Sequence, residues 1–331
     1  RDLRRALPAV EATQAFLERI EAEQPRLRAF ITVTPGIAVA DARRVDLARA
    51  SGERLPLDGM PIAVKDNVDV AGIRLTVGSQ LFGDHVAERD AEIVSRLRAA
   101  GAVIIGKTNM HELAFGATSA NETFGAVANP WDAGKIPGGS SGGSGVAIAA
   151  DLCIASIGTD TGGSIRLPAA FTGVAGLRPT YGAVSTRGVF PVAHSLDTVG
   201  PLARSVLDVA SVFAVIAGYD IRDPWSVDLP SPPVDVMPDV SGLRIGLPQP
   251  FFFDALDPEV ERAVRVAATV LCDLGANVSE LECDHVVKVH DHGYDNGRYF
   301  LAMEAVEGDS LDLTLAADSS LGIEWTSGFA K

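Results

Sequence analysis

Three clusters in this chain hold the parts of a serine nucleophile activated without histidine. One is Gly138-Gly139-Ser140-Ser141-Gly142-Gly143-Ser144-Gly145, and another is Gly158-Thr159-Asp160-Thr161-Gly162-Gly163-Ser164-Ile165-Arg166. The third is Lys65, at the end of the strand-like run Pro61-Ile62-Ala63-Val64-Lys65. A serine attacks well when a neighbouring base takes its proton, and a lysine is a base only while neutral. Burial favours the neutral amine, and the apolar flank Ile62-Ala63-Val64 suits it. Asp66 would oppose that shift, but alternation along a strand turns it to the other face.

A Gly/Ser run is commonly a flexible linker. These two runs are set in core-forming sequence instead. The apolar stretch Val146 to Ile157 separates them, and Ile165-Arg166-Leu167-Pro168-Ala169-Ala170 follows the second. Glycines flanked this way serve close backbone approach or positive φ, not slack.

The elements around them alternate between helix and strand. Residues 9–23 place Val10, Phe16, Leu17 and Ile20 on one helical face, and a second helix covers 38–50. Residues 61–65 read as a buried strand with Val68-Asp69-Val70 as its ribbon-like continuation. A helix over 89–100 stops at Gly101, and the strand Ala102-Val103-Ile104-Ile105 follows. Residues 146–151 read as helix, 153–158 as a core strand, 201–217 as helix, and 257–274 then 276–281 as another helix and strand. This predicts an α/β fold with a large, mostly buried sheet. The proline-rich stretch 224–242 reads as a linker or surface excursion.

Composition narrows the function. The 331 residues are 47% hydrophobic and 21% charged, which is globular, and the net charge of −15 opposes broad nucleic-acid binding. Cys153, Cys272 and Cys283 show no disulfide framework or metal spacing and fit a reducing, cytoplasmic setting. No signal peptide is visible after Arg1, and the apolar runs 146–157 and 206–217 are too short to span a membrane.

Other motifs carry less. Gly101 to Thr108 has P-loop spacing, but its Ala-Val-Ile-Ile interior is strand sequence, not a phosphate-cradling loop. Gly138 to Gly142 fits a hydrolase nucleophile elbow, yet loop residues 131–137 precede it where a strand is needed. His285, His290 and His292 with Asp284 and Asp291 match no common zinc spacing and read as a solvated polar stretch. His111 and His194 have no sequence partner that marks either as a general base.

Taken together, Pro61-Ile62-Ala63-Val64-Lys65-Asp66-Asn67, Pro137 to Gly143 and Gly158 to Arg166 resemble the amidase signature family in order and interval. Gly106-Lys107-Thr108-Asn109-Met110-His111-Glu112, Asn129-Pro130-Trp131-Asp132 and Ser195-Leu196-Asp197-Thr198-Val199-Gly200-Pro201 extend the likeness from about residue 8 to 283. The resemblance implies a large mixed sheet covered by helices on both sides. It also implies a Ser–cis-Ser–Lys triad: Ser164 as nucleophile, Ser140 as bridging hydroxyl after a cis Gly139–Ser140 peptide, and Lys65 as base. By the same match the amides of Thr161, Gly162, Gly163 and Ser164 form the oxyanion hole. Ser141 supports the loop, Asp160 and Arg166 form a structural ion pair, and Lys107 and Arg178 are structural.

The implied reaction is hydrolysis of a carboxylic amide through an acyl-enzyme, with no metal and no organic cofactor. The expected partner is a small-molecule amide, with no nucleic acid and no membrane, and homo-oligomerisation is left open. Residues 1–331 are expected to form one amidase domain lacking the C-terminal portion with which family members usually continue. The alternative is the transferase component of a tRNA-dependent amidotransferase, its A subunit. That component's motif typically reads Asp-Glu-Phe-Ala-Met-Gly where this chain has His111-Glu112-Leu113-Ala114-Phe115-Gly116, which favours a free-standing amidase.

Overall fold

The computed structural model describes residues 7–230, 240–249, 252–282, 289–295 and 298–303. The chain forms two compact units, Arg1–Val236 and Met237–Lys331, and the boundary falls inside the 224–242 stretch.

The first unit is built on a six-stranded mixed sheet in the order β1-β3-β2-β4-β6-β5. Its strands are β1 (Phe30–Val33), β2 (Pro61–Lys65), β3 (Val103–Thr108), β4 (Ala155–Asp160), β5 (Ala175–Gly176) and β6 (Thr198–Ala203). The central strand β2 runs parallel to both neighbours, pairing Lys65 with Thr108 of β3 and Val64 with Ile157 of β4. The outer strands pair antiparallel.

Parallel strands buried on both faces need apolar residues at every position, and β2 shows the result. Ile62 and Val64 enter one core with Ile93, Val94 and Leu97 of helix α3 (Glu92–Ala99) and Val209, Val212 and Ile216 of α6 (Val206–Ile216). Ala63 enters the other, with Ile20 of α1 (Ala9–Leu27), Val45 of α2 (Pro35–Ala50), Val146 of α4 (Gly142–Ala149) and Ala169 of α5 (Arg166–Thr172). Helices thus cover both faces of the sheet. Each fully buried side chain the size of Ile62 contributes roughly 1.5–3 kcal/mol.

Several boundaries differ from the sequence reading. The strand expected over 153–158 is β4, two residues later, so Thr159 and Asp160 of the second Gly cluster belong to the sheet. The helix expected over 201–217 starts late: residues 201–203 belong to strand β6, and α6 begins only after Ser205, whose hydroxyl accepts the Asp208 N–H. Antiparallel pairing with β4, from Ala155 opposite Ala203 to Asp160 opposite Thr198, explains the difference. Val68 to Val70 form no strand, only a single bridge between Val68 and Val189. The P-loop look-alike is β3 itself.

In the second unit β7 (Arg244–Gln249) and β8 (Asn277–Glu282) pair in parallel, joined by α7 (Pro258–Asp273). The Asp257 carboxylate caps α7 by accepting the Glu259 N–H at 2.8 Å. A hairpin of β9 (Val289–Asp295) and β10 (Arg298–Met303) follows. Among the described residues, no helix is long and apolar enough to cross a membrane.

Candidate active site

The site gathers at the C-terminal ends of β2 and β4, where neighbouring parallel strands deliver their loops to one edge. Lys65 is the last residue of β2 and is fully buried. Its Nζ donates to Ser140 Oγ at 2.7 Å and to Thr159 Oγ1 at 2.8 Å. Burial pulls its pKa from the ordinary 10.5 down to about 7, against the opposing charges of Asp160 and Asp197. Asp66 does not face Lys65. It pairs with Lys107 at 3.0 Å and accepts the Thr76 N–H at 2.9 Å.

Ser140 follows a cis Gly139–Ser140 peptide. The position before it has no room for a side chain: a Cβ on Gly139 would lie 2.7 Å from the Gly116 carbonyl oxygen and 2.8 Å from Thr118 N. The Ser140 carbonyl accepts the His111 N–H at 3.1 Å, which ties the loop to residues 111–118. Ser141, next in the chain, is fully buried. Its hydroxyl bonds the Thr159 carbonyl at 3.2 Å, and its N–H donates to the Ser164 carbonyl at 3.2 Å.

The two serine segments are joined through that backbone bond. Ser164 is half-buried, and its hydroxyl has no hydrogen-bond partner among the described residues. The preceding loop is shaped by Asp160, which is fully buried and accepts N–H groups from Gly163 at 2.8 Å, Ile165 at 3.1 Å and Arg166 at 3.3 Å. The Arg166 guanidinium grips the same carboxylate through two 3.0 Å bonds, and Arg178 lies 3.4 Å away. Burial alone would raise the Asp160 pKa; Arg166 and the three amides outweigh it, and the net shift is downward.

This arrangement corrects one expected donor. The Gly163 N–H is bonded to Asp160, so it does not face an oxyanion. The amides of Thr161, Gly162 and Ser164 have no partner among the described residues and are the donors left for that role. Gly163 is needed for another reason: its φ of +131° lies in the region that favours glycine.

Three further residues enter the site. Thr159 Oγ1, besides meeting Lys65, accepts from Asn67 Nδ2 at 3.2 Å. Asp197 takes the Thr161 hydroxyl at 2.5 Å and the amides of Val192 and Ala193. Thr159, Asn67 and Asp197 all sit inside motifs visible in the sequence, which was the available signal. A cavity of about 230 Å³ opens beside them, lined by Asn67, Thr159, Thr161, Phe190, Asp197 and Trp225 among others. Trp225 stacks on His194 at 6.0 Å, so the start of the 224–242 stretch packs at this cavity.

Among the described residues, no group of His, Cys, Asp and Glu could hold a metal ion. Asp284 and His285 lie outside the described residues, as do the side chains of His290, Asp291 and His292. Cys153 is buried, which pushes its thiol pKa up.

A sequence model described as Amidase matches residues 11–319. The glutamyl-tRNA(Gln) amidotransferase A subunit of Roseiflexus sp. (strain RS-1) is 47% identical over 285 residues, covering 86% of this chain and 58% of the relative. The chain therefore spans under two thirds of that relative's length. Among solved structures, native peptide amidase from Stenotrophomonas maltophilia superposes with a TM-score of 0.77 at 40% identity, over 83% of this chain and 59% of the other. The glutamyl-tRNA(Gln) amidotransferase A subunit of Thermotoga maritima gives 0.75 at 32% identity, over 84% and 59%.

Proposed function

The chain belongs to the amidase family, and from that premise we propose that it cleaves a carboxamide through an acyl-enzyme on Ser164. The observation that carries this reading is the Lys65 amine, fully buried and held between the hydroxyls of Ser140 and Thr159. With its pKa near 7 the amine is substantially neutral at neutral pH, as a base must be.

In the proposed cycle Ser140 passes its proton to Lys65 Nζ as it takes the one from Ser164. Ser164 Oγ then bonds the carboxamide carbon. The free amides of Thr161, Gly162 and Ser164 hold the oxygen that becomes negative; one such donor is commonly worth about 10²–10³ in rate. The proton returns through Ser140 to the leaving nitrogen, ammonia departs, and water frees the acyl group by the same steps reversed.

Two settings fit this chemistry. The His111 to Gly116 sequence favours a free-standing amidase, and the likeness to a peptide amidase supports it. The amidotransferase setting has the stronger support, because relatives at 47% and 48% identity carry that name. We therefore give it precedence: the ammonia would be handed on within a complex, in a cytoplasmic setting. Glutamine hydrolysis that rises only when the other components of such a complex are added supports this setting. Full turnover of simple primary amides by the protein alone supports the free-standing enzyme.

The chemistry itself is tested with a fluorophosphonate probe. Wild type should be labelled and Ser164→Ala should not. A wild type that takes no label would make the chain a non-catalytic scaffold.

A further inference from the structure

Lys65 Nζ touches two hydroxyls, Ser140 Oγ at 2.7 Å and Thr159 Oγ1 at 2.8 Å, and the two cannot play the same part. A neutral amine has a single lone pair beside its N–H groups. To take a proton from Ser140 it must aim that lone pair at Ser140, which leaves an N–H for Thr159. Thr159 must then accept. A hydroxyl oxygen has two acceptor sites, and Asn67 Nδ2 already donates to this one at 3.2 Å.

These residues tie together the ends of the two central strands. Lys65 closes β2, Asn67 lies just beyond it, and Thr159 stands on β4, which pairs with β2 in parallel. Asn67 is 1% exposed, and its Nδ2 also donates to the Phe190 carbonyl at 3.4 Å, so the amide is anchored on a third segment. A lysine stem is long and flexible, and a bond to Ser140 alone would let its amine swing. A threonine hydroxyl has more than one χ1 direction open to it; the Asn67 bond favours the one that faces Nζ. Asp160, Asp197 and His111 act on the amine's charge from β4, from the segment before β6 and from the loop after β3. Among the described residues, none of these three is hydrogen-bonded to it.

We propose that Thr159 is a positioning residue for Lys65, accepting an N–H of the neutral amine so that its lone pair stays on Ser140, and that Asn67 braces Thr159 in that role. The proton then moves from Ser140 Oγ to the Nζ lone pair, and the ammonium that forms keeps its bond to Thr159. This rests on the acyl-enzyme reading given above.

The readout is the second-order rate at which a fluorophosphonate labels Ser164 in the full chain, followed across the pH range that spans the Lys65 midpoint. Ser164→Ala sets the background. Thr159→Val keeps the shape and removes the hydroxyl, Thr159→Ser keeps the hydroxyl, and Asn67→Leu removes the brace.

Thr159→Val should lower the alkaline plateau by about 10- to 100-fold, the scale of a small misplacement of a reacting group. Its midpoint should fall below that of wild type, because an acceptor that favours the protonated amine is gone. Asn67→Leu should lower the plateau by about threefold to tenfold, and Thr159→Ser should stay close to wild type. An unchanged plateau in Thr159→Val or Asn67→Leu, or a Thr159→Ser as slow as Thr159→Val, overturns the proposal. So does a lower plateau with a midpoint raised toward 10.5, the mark of a loosened site that lets water reach the amine. Should Thr159→Val fail to fold, the plateau of Asn67→Leu decides. A wild type that takes no label brings down the acyl-enzyme reading and this proposal with it. Labelling that is lost in Ser164→Ala yet equal in wild type and Thr159→Val removes this proposal alone.

Discussion

Lys65 and Lys107 sit on adjacent strands, both fully buried, and the fold treats them differently. Lys107 Nζ lies 3.0 Å from the Asp66 carboxylate and donates to the Arg74 carbonyl at 3.2 Å. Among the described residues, Lys65 Nζ meets only hydroxyls within hydrogen-bond distance. Burial lowers both amines, but at Lys107 it is opposed by direct contact with Asp66. At Lys65 the opposing charges of Asp160 and Asp197 act without a bond to the amine. The nearest partner separates an anchoring cation from an amine able to take a proton. Asp66, next to Lys65 in sequence, serves the other lysine.

The strongest way to break this contrast is Lys65→Met. It should lower kcat/KM by about 10⁴-fold while raising Tm at pH 7. The sign follows from the depressed pKa: between about 7 and 10.5 the unfolded chain binds more protons here than the folded one, so wild-type stability rises with pH across that window. The Tm gain should therefore shrink as pH climbs toward 10.5. A Tm gain that does not change with pH would mean the buried amine is not the cause.

Lys107→Met tests the other member. It strands the buried Asp66 carboxylate without its cation and should cost about 3–5 kcal/mol in urea unfolding. The pH midpoint of activity should stay near 7. A midpoint that moves with this substitution would put Lys107 in the proton path and erase the distinction.

The finest adjustment is Asp197→Asn. Removing a negative charge that favours the protonated amine should move the acid limb of kcat/KM to lower pH. Movement toward higher pH would contradict the electrostatics assigned to Lys65.

Much of the site was legible because its chemistry is carried by residue types in fixed local order. Lys65, Ser140 and Ser164 stand in short motifs, and the strand leading to Lys65 is apolar enough to read directly. The destination of each polar group was not legible. That the Gly163 amide goes to Asp160 depends on how a carboxylate on β4 turns back over its own loop. Thr159 has the local sequence of a glycine-rich loop, and only the extension of β4 brings it to the lysine. Within 198–203, the apolar residues run on into α6 and mimic its start; pairing with β4, not local preference, makes them strand. Sequence order points to the candidate reacting groups, whereas long-range packing assigns their partners.

The pairing of β2 with β4 has one more consequence. Lys65 and Thr159 meet across 94 positions of chain, so no local fragment can surround the lysine with its partners ahead of the sheet's centre. During refolding, competence must arrive with that long-range closure, a kind of contact that slows folding. On the proposed chemistry, a half-formed chain in the cell would thus carry an inert serine and could not attack stray amides before its interior had closed.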